Sequence, residues 1–202
     1  NDLKVIEPDW LRRMVSHVMR PDVGIVGAKL LHGDDTIQHA GVTLGISVAS
    51  HLYKKFPPEA EGHNGRLILP QDVSAVTAAC LLVRRDVWGE VGGLDEAFPI
   101  SYNDIDLCLK VAKAGYRILW TPEVLVYHLE SQSRGKDASP EKRERLDRDK
   151  ARLIDRWGDR LRSDPFHSPN LSDRHIDARL AFPARVTPPW RQEPIMTSER
   201  KA

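Results

Sequence analysis

The sequence predicts an α/β fold with a mixed sheet and flanking helices, followed by a charged helical arm and an extended tail. Three observations support this prediction. Short apolar runs of strand length alternate with segments whose apolar residues recur at helical spacing. The run at 23–31 is mostly apolar with small residues interleaved, as in a buried strand. After Gly135 the sequence becomes strongly charged and then rich in Pro, Arg and Ser, which divides the chain into 1–135 and 136–202.

The composition restricts the class of protein. A chain of 202 residues with 41% hydrophobic residues can form one domain with an extension, and its net charge of +1 does not favour nucleic acid as a partner. Cys80 and Cys108 lie in apolar surroundings, which favours buried thiols in a reducing compartment over a disulfide. No apolar run approaches the ~20 residues that cross a bilayer. We therefore expect a cytoplasmic location.

Local sequence features predict each helix and strand. Pro8 precedes a run in which Trp10, Met14 and Val18 recur at helical spacing, which predicts a helix. Glycines are predicted to end later helices, and turn residues at 33–35 predict a hairpin. In order, the predicted elements are helix 10–19, hairpin strands 23–31 and 36–44, a long loop at 45–72, strand 77–83, helix 85–91 ended by Gly92, a central helix from 103 ended by Gly115, strands 117–120 and 124–128, and helix 139–157. The interleaved charges of the last helix indicate a solvated face with local ion pairs.

The stretch at 101–110 has the clearest potential for chemistry. Asp104 and Asp106 lie at the start of the central helix, where the amide dipoles favour the ionised form of a carboxylate. An ionised carboxylate at that place suits a general base or a metal ligand. The alternative is that the two residues only cap the helix, because Asp is a favoured N-cap residue.

Four further groups could contribute to a site. They are Asp2, the segment 128–135 that begins with a possible metal ligand at a strand end, the double glycine at 92–93, and the small-residue segment 74–80. Each has a simpler explanation, respectively a terminal aspartate, a surface histidine, a helix C-cap and core packing. None of these groups is decisive alone.

Their order and spacing together are distinctive. In chain order the set is Asp2, Thr77-Ala78-Ala79-Cys80, Gly92-Gly93-Leu94-Asp95-Glu96, Asn103-Asp104-Ile105-Asp106-Leu107 and His128-Leu129-Glu130-Ser131-Gln132-Ser133-Arg134-Gly135. This set resembles the C-terminal half of the catalytic domain of family 2 glycosyltransferases, and most strongly the bacterial rhamnosyltransferase-like and cell-surface-polysaccharide subgroup. Residues 37–41 and 164–172 resemble the same subgroup. The resemblance covers about residues 1–172 and implies a partial GT-A fold.

The resemblance implies an inverting transfer of a sugar from a nucleoside-diphosphate donor. Asp104 matches the catalytic base, which would take a proton from the acceptor hydroxyl. Asp2 matches the last carboxylate of an Asp-rich motif, and His128 matches a histidine that completes the metal shell. Both would bind a divalent metal, Mg²⁺ or Mn²⁺, on the donor diphosphate. Asn103 stands where the family usually has Glu or Asp, and Asp106 is expected to be structural, as a helix cap or by orienting its neighbours.

Further contacts follow from the same resemblance. Ser133 and Arg134 would contact the donor diphosphate. The acceptor side would be lined by Thr77, Ala78, Gly93, Leu94, Asp95 and Asn103. The chain begins with Asn1-Asp2 and without methionine, so we expect a nucleotide-binding half to precede it in a longer protein. The expected partners are a nucleotide-sugar donor and a saccharide or lipid-linked acceptor.

Two alternatives remain open. By itself the chain could be a non-catalytic acceptor-binding or assembly module. A metal-dependent hydrolase could use Asp104, Asp106 and His128, although such enzymes supply more closely spaced ligands. We also expect a homodimer, formed through an exposed sheet edge or the 139–157 helix. Peripheral association of the longer protein with the inner face of the membrane is a further expectation.

Overall fold

The structure is a computed structural model that describes residues 2–129 and 139–187 as a mixed sheet flanked by helices. Its strands are β1 Leu3–Val5, β2 Val23–Leu31, β3 Ile37–His39, β4 Val42–Leu44, β5 Ala49–His51, β6 Gln71–Asp72, β7 Leu81–Val83 and β8 Arg117–His128. Its α-helices are α1 Trp10–Val18, α2 Arg85–Val91, α3 Asn103–Lys113 and α4 Pro140–Trp157, with short 3₁₀ turns at His63–Gly65 and Gly158–Leu161. The predicted α/β class and all four predicted helices are confirmed.

The centre of the sheet is the parallel pair β2 and β8. Every residue of β2 is buried, as its mostly apolar sequence predicts. The main path runs β1-β8-β2-β3, with β6 added to β8 and β7 added to β2. The prediction of two strands at 117–120 and 124–128 is wrong, because β8 is continuous. Its register shifts where Ala28 faces Thr121 and Lys29 faces Leu125, which absorbs Pro122, a residue with no amide to donate.

The strand predicted at 36–44 is divided between two sheets. β3 forms the expected hairpin with β2, in which His39 faces Leu30. The chain then turns at Gly41, whose φ of 87° is accessible to glycine, and β4 pairs with β5 in a separate two-stranded sheet. The turn was missed because the apolar alternation continues through it.

The strand predicted at 77–83 is shorter than its sequence suggested. Only Leu81–Val83 pair with β2, and the residues before them form an irregular turn in which Ala78 is exposed. A Cβ atom on Gly27 would lie 2.5 Å from Val76 Cγ1, so glycine in β2 allows this turn to approach closely. The amides of Thr77 and Ala78 bond to side chains instead of joining the ladder.

Two apolar clusters cover the two faces of the sheet. One face packs on α1 through Met14 and Val18. The other carries the larger cluster, which contains α3, Trp120 of β8, and Leu153 of α4. Leu161, Leu171 and Ala178 of the tail are also buried in this larger cluster. The tail at 158–187 therefore contributes to the core although it has little regular structure.

The structure also bears on the cysteines and on membrane-spanning helices. Both cysteines are buried free thiols, as predicted. Among the helices in the described ranges, none is long and apolar enough to cross a membrane.

Candidate functional site

Asp104 lies in the first turn of α3 with its carboxylate partly exposed. Its Oδ2 accepts a hydrogen bond from the amide of Ala78 at 3.1 Å, and its Oδ1 accepts from the amide of Ile105 at 2.9 Å. The helix is entered through Tyr102, which has a φ of 63°, and no side chain caps it. The interpretation of Asp104 and Asp106 as helix caps is therefore wrong.

Asp106, two residues later, is fully buried. Its Oδ1 accepts hydrogen bonds from Arg156 Nη1 at 2.9 Å and from Trp157 Nε1 at 2.9 Å. Lys110 Nζ lies 3.6 Å from the other oxygen, Oδ2. Because these donors come mostly from α4, the carboxylate joins two helices, and it has no free face for a substrate.

The residues expected on the acceptor side form two groups, one of which contacts Asp104. Thr77 and Ala78 lie next to its carboxylate, and Ala78 is exposed. Gly93, Leu94 and Asp95 form a loop after α2, whose end at Gly92 has the predicted left-handed conformation with a φ of 75°. Leu94 is exposed, whereas Asn103 is partly buried at the start of α3.

The loop at 93–98 is held by neighbouring side chains. Lys110 donates a hydrogen bond to the carbonyl of Gly93. Asp95 Oδ1 accepts from the amide of Ala97 at 2.8 Å, and Asp95 Oδ2 lies 2.7 Å from Arg156 Nη1. The Ala97 amide and then Arg156 lower the pKa of Asp95.

Gly93 was expected to permit a close approach of the backbone to a ligand. In the structure, a Cβ atom at this position would lie 2.7 Å from Trp88 Cε2. The indole of this same chain therefore requires the glycine.

Asp2 and His128 lie at neighbouring backbone positions at one end of the sheet. Leu3 of β1 faces His128 of β8, and the amide of Leu129 donates to the carbonyl of Asp2 at 2.8 Å. Residues 2 and 128 are more than a hundred positions apart in the sequence, but the pairing of β1 with β8 makes their backbones neighbours. Aspartate and histidine are ordinary ligands of divalent metals.

Gln38 of β3 determines which nitrogen of His128 is available. Its side chain is buried, and its Nε2 donates to the carbonyl of His128 at 3.1 Å. Its Oε1 lies 2.7 Å from His128 Nδ1. Since an amide oxygen can only accept, Nδ1 carries the proton and Nε2 keeps its lone pair. A metal-binding histidine usually has such a partner on its second nitrogen.

A pair of histidines lies behind the Thr77–Ala78 segment. His39 is fully buried, and its Nδ1 lies 2.9 Å from His51 Nδ1. The amide of Thr77 donates to His39 Nε2 at 3.5 Å. Burial, and to a smaller extent His51, holds the pKa of His39 well below its ordinary value of 6.5.

Sequence reasoning missed several of these residues. The sequence indicates Gln38 and His39 only through the resemblance, and it predicts a solvated face for the helix that carries Arg156. The side chains of Arg156 and Trp157 instead reach into the site region from α4. A partial signal for Arg156 was available, because the helix end that carries it also contains Leu153 and Trp157 at apolar spacing. Ser133 and Arg134 lie outside the described residues.

Within 2–129 and 139–187 there is no group of three or more His, Cys, Asp or Glu side chains that could hold a metal ion. A metal held by the two residues Asp2 and His128 would need further ligands from substrate oxygens or water. This arrangement is common for Mg²⁺, which often binds through one or two protein groups together with substrate phosphates.

Comparison with known proteins gives consistent results. A model of the family described as "Glycosyltransferase like family 2" matches residues 2–154. The chain is 47% identical over 185 residues to the uncharacterized protein y4gI of Sinorhizobium fredii (strain NBRC 101917 / NGR234), covering 91% of this chain and 20% of that protein. It is 38% identical over 143 residues to the O-antigen biosynthesis protein RfbC of Myxococcus xanthus, covering 70% of this chain and 11% of that protein. The chain thus spans a small part of the length of each relative.

A solved structure shares the fold. It is the crystal structure of GalNAc-T7 with UDP, GalNAc and Mn²⁺, which matches with a TM-score of 0.56 and 16% identity over 79% of this chain and 31% of that chain. This likeness concerns the fold alone. Because the family model covers well over half of the chain, and the fold is similar to that of a solved GT-A structure, the chain belongs to glycosyltransferase family 2 and has a GT-A fold.

Proposed function

We propose that this chain supplies the catalytic base and the acceptor side of an inverting glycosyltransferase, which moves a sugar from a nucleoside-diphosphate donor to a hydroxyl of a saccharide or lipid-linked acceptor. The observation that carries the proposal is the position of Asp104. Its partly exposed carboxylate lies at the start of α3, beside the exposed Ala78. O-antigen biosynthesis, named for the relative RfbC, agrees with a saccharide acceptor.

In the proposed reaction, Asp104 accepts the proton of the acceptor hydroxyl as that oxygen attacks the anomeric carbon. The bond from the anomeric carbon to the diphosphate oxygen breaks in the same displacement, which inverts the anomeric configuration. A base must hold its geometry before the acceptor arrives. The amides of Ala78 and Ile105 each bond to one carboxylate oxygen of Asp104 and orient it.

The acceptor would lie between two segments. Thr77 and Ala78 would form one wall, and the loop Gly93–Asp95 the other, with Asn103 at the start of α3 between them. Asp95 is engaged by Arg156 and the Ala97 amide, so its contact with a sugar would use the remaining lone pairs of its carboxylate. Leu94 is exposed and would contact an apolar face of the acceptor.

The residues at the end of the sheet fit a divalent metal. Asp2 would contribute a carboxylate, and His128 would contribute the Nε2 lone pair that its bond to Gln38 leaves available. A bound Mg²⁺ or Mn²⁺ would neutralise charge on the departing nucleoside diphosphate. Ser133 and Arg134 are proposed to contact the same diphosphate.

The test is the substitution Asp104→Asn in the full-length protein. Removal of a general base is expected to lower kcat by about 10²- to 10⁴-fold. The matched control is Asp86→Asn, since Asp86 is an exposed aspartate in the first turn of the neighbouring helix α2. The kcat of the Asp86→Asn variant should remain within about twofold of the wild-type value. Transfer is followed by chromatography and the anomeric configuration of the product by NMR. Wild-type turnover by the Asp104→Asn variant, or retention of configuration, would contradict the proposal.

A second candidate is a non-catalytic acceptor-binding or assembly module. One observation favours it for the chain alone: β1 is an edge strand whose Leu3 and Val5 are exposed, as is Ile6 just after it, and this surface suits a further structural segment. Calorimetric titration of the chain with UDP and TDP in the presence of Mn²⁺ separates the two. This candidate requires weak or absent binding, and low-micromolar affinity would overturn it.

A further inference from the structure

We propose that Arg156 of α4 is a positioning residue. It would fix the acceptor loop, residues 93–98, relative to the base helix α3, which carries Asp104 in its first turn. The inference rests on the proposed function and deepens it. The side chain of Arg156 would set the distance between the acceptor loop at 93–98 and the base at the start of α3. α4, a helix outside the segments that line the site, would thereby have a role in transfer.

One nitrogen of Arg156 contacts both the acceptor loop and the base helix α3. Its Nη1 lies 2.7 Å from Asp95 Oδ2 in the acceptor loop and 2.9 Å from Asp106 Oδ1 in the base helix. Lys110 of α3 also contacts the loop, at the carbonyl of Gly93, and Arg156 supplies the bridge between Asp95 and Asp106. Both bonds are charge-assisted, which is the stronger class of hydrogen bond.

The surroundings of Arg156 restrict its motion. Its guanidinium carbon lies 5.0 Å from the centroid of the Phe98 ring, and Phe98 is almost fully buried. Trp157 adds a second donor from the same helix end to Asp106 Oδ1, at 2.9 Å. Arg152, one turn earlier, donates to the carbonyl of Ala97. The C-terminal half of α4 therefore holds the loop at Asp95, Ala97 and Phe98.

The bridge has a direct consequence for the reaction. Asp104 is two residues from Asp106 on α3, so a shift of Asp106 moves the base with it. Asp95 directly follows Leu94 in the loop, and the exposed side chain of Leu94 would contact the acceptor. Loss of the bridge would change the distance between base and acceptor hydroxyl while leaving the donor end at Asp2 and His128 unchanged. Transfer should therefore suffer more than hydrolysis of the donor by water, which needs no bound acceptor.

The experiment compares variants of the full-length protein for these two activities. The donors are UDP-sugars and dTDP-sugars, and the acceptors are octyl glycosides. In Arg156→Met, transfer kcat/KM should fall about 10- to 100-fold, because sub-ångström misplacement of reacting groups has effects of this size, while donor hydrolysis changes less than about threefold. Arg156→Lys keeps the charge but cannot reproduce the planar fork, and it should give an intermediate transfer-to-hydrolysis ratio.

Two comparisons separate positioning from a purely structural role. Arg148→Met changes an exposed arginine of the same helix and should leave both activities unchanged. Asp95→Asn combined with Arg156→Met should cost little more than either change alone, because both remove the same bridge.

The outcomes are distinguishable. If Arg156→Met lowers transfer and hydrolysis by the same factor, or if the two substitutions are additive, the inference is overturned and the proposed function stands. If the wild-type protein shows neither transfer nor donor hydrolysis, the proposed function fails and the inference fails with it. Thermal melts of each variant establish the folded fraction that normalises the rates.

Discussion

At the scale of single residues, the orientation of the site depends on the fixed roles of a few donors and acceptors. The amide of Thr77 can only donate, so His39 Nε2 accepts and the proton of the neutral ring lies on Nδ1. That proton is donated to His51 Nδ1 at 2.9 Å. A neutral His39 in β3 therefore contacts the segment Thr77–Ala78, and the amide of Ala78 bonds to Asp104.

The buried His39 predicts a pH dependence of stability. In the unfolded chain it binds a proton below about pH 6.5, whereas in the folded chain its pKa is well below the ordinary value of 6.5. The unfolded state thus binds more protons, and the free energy of unfolding should fall as the pH decreases from about 6.5. A single group of this kind contributes up to about 1.4 kcal/mol per pH unit.

Urea unfolding at a series of pH values from 7.5 to 5 measures this slope. His39→Gln should lower the stability at all pH values and flatten the slope. His63→Gln, at an exposed position, is the matched control and should retain the wild-type slope. An unchanged slope in the His39→Gln variant would show that His39 is not the group responsible.

The residues of the site differ in how far the sequence predicts them. Asp104 is a candidate on the sequence alone because a helix start is a local property, and Asp2 and His128 are candidates because their spacing matches a known order. The role of Gln38 depends on two bonds to a residue 90 positions away, which no local pattern contains. The same reason explains why Arg156 was assigned to solvent.

At the scale of elements, the joint between α2 and the acceptor loop depends on one glycine. Gly93 has a φ of 61°, and a Cβ atom there would contact the Trp88 ring at 2.7 Å. Gly93→Ala combines left-handed backbone strain with a steric clash, and it should lower the free energy of unfolding by about 1–3 kcal/mol. It should also raise the acceptor KM, because the loop carries Leu94 and Asp95.

The matched control for this prediction is Gly89→Ala in α2. A Cβ atom at Gly89 has no neighbour within 4 Å, so the higher helix propensity of alanine should make this variant more stable by about 0.5–1 kcal/mol. Chemical denaturation of both variants gives the two values. Equal stability of the Gly93→Ala and wild-type proteins would contradict the steric argument.

Element types were predictable and several element limits were not. Helical periodicity and glycine stops gave α1, α2, α3 and α4 correctly. The strand limits near Gly41 and Cys80, and the continuity of β8 through Pro122, were set by pairing partners distant in sequence. Apolar alternation reports which face of a segment is buried, and it does not report where the neighbouring strand ends.

At the scale of the whole molecule, the larger apolar cluster connects the two parts into which the sequence was divided. Leu153 of α4 is fully buried in the cluster that contains Trp120 and α3. Leu153→Ala should therefore destabilise the sheet together with the helix, by about 2–5 kcal/mol. Leu146→Ala, at an exposed position of the same helix, should change stability by less than about 0.5 kcal/mol.

Unfolding followed by tryptophan fluorescence and by far-UV circular dichroism tests this coupling. Coincident transitions that shift together in Leu153→Ala are expected for one cooperative unit. Two separate transitions would instead support independent parts at 1–135 and 136–202. The homodimer through β1 or α4 stays a prediction, and light scattering at high concentration measures it.

The sequence by itself determined the α/β class, the four helices, the buried central strand β2 and the order of the family 2 residues from Asp2 to His128. These features depend on local periodicity, on glycine and proline, and on spacing along the chain. The tertiary structure alone decided that His128 Nδ1 is engaged by Gln38, that His39 is buried and neutral, and that Arg156 joins the loop at 93–98 to α3. Each of these depends on contacts between residues distant in sequence, whose geometry is set only when the elements pack.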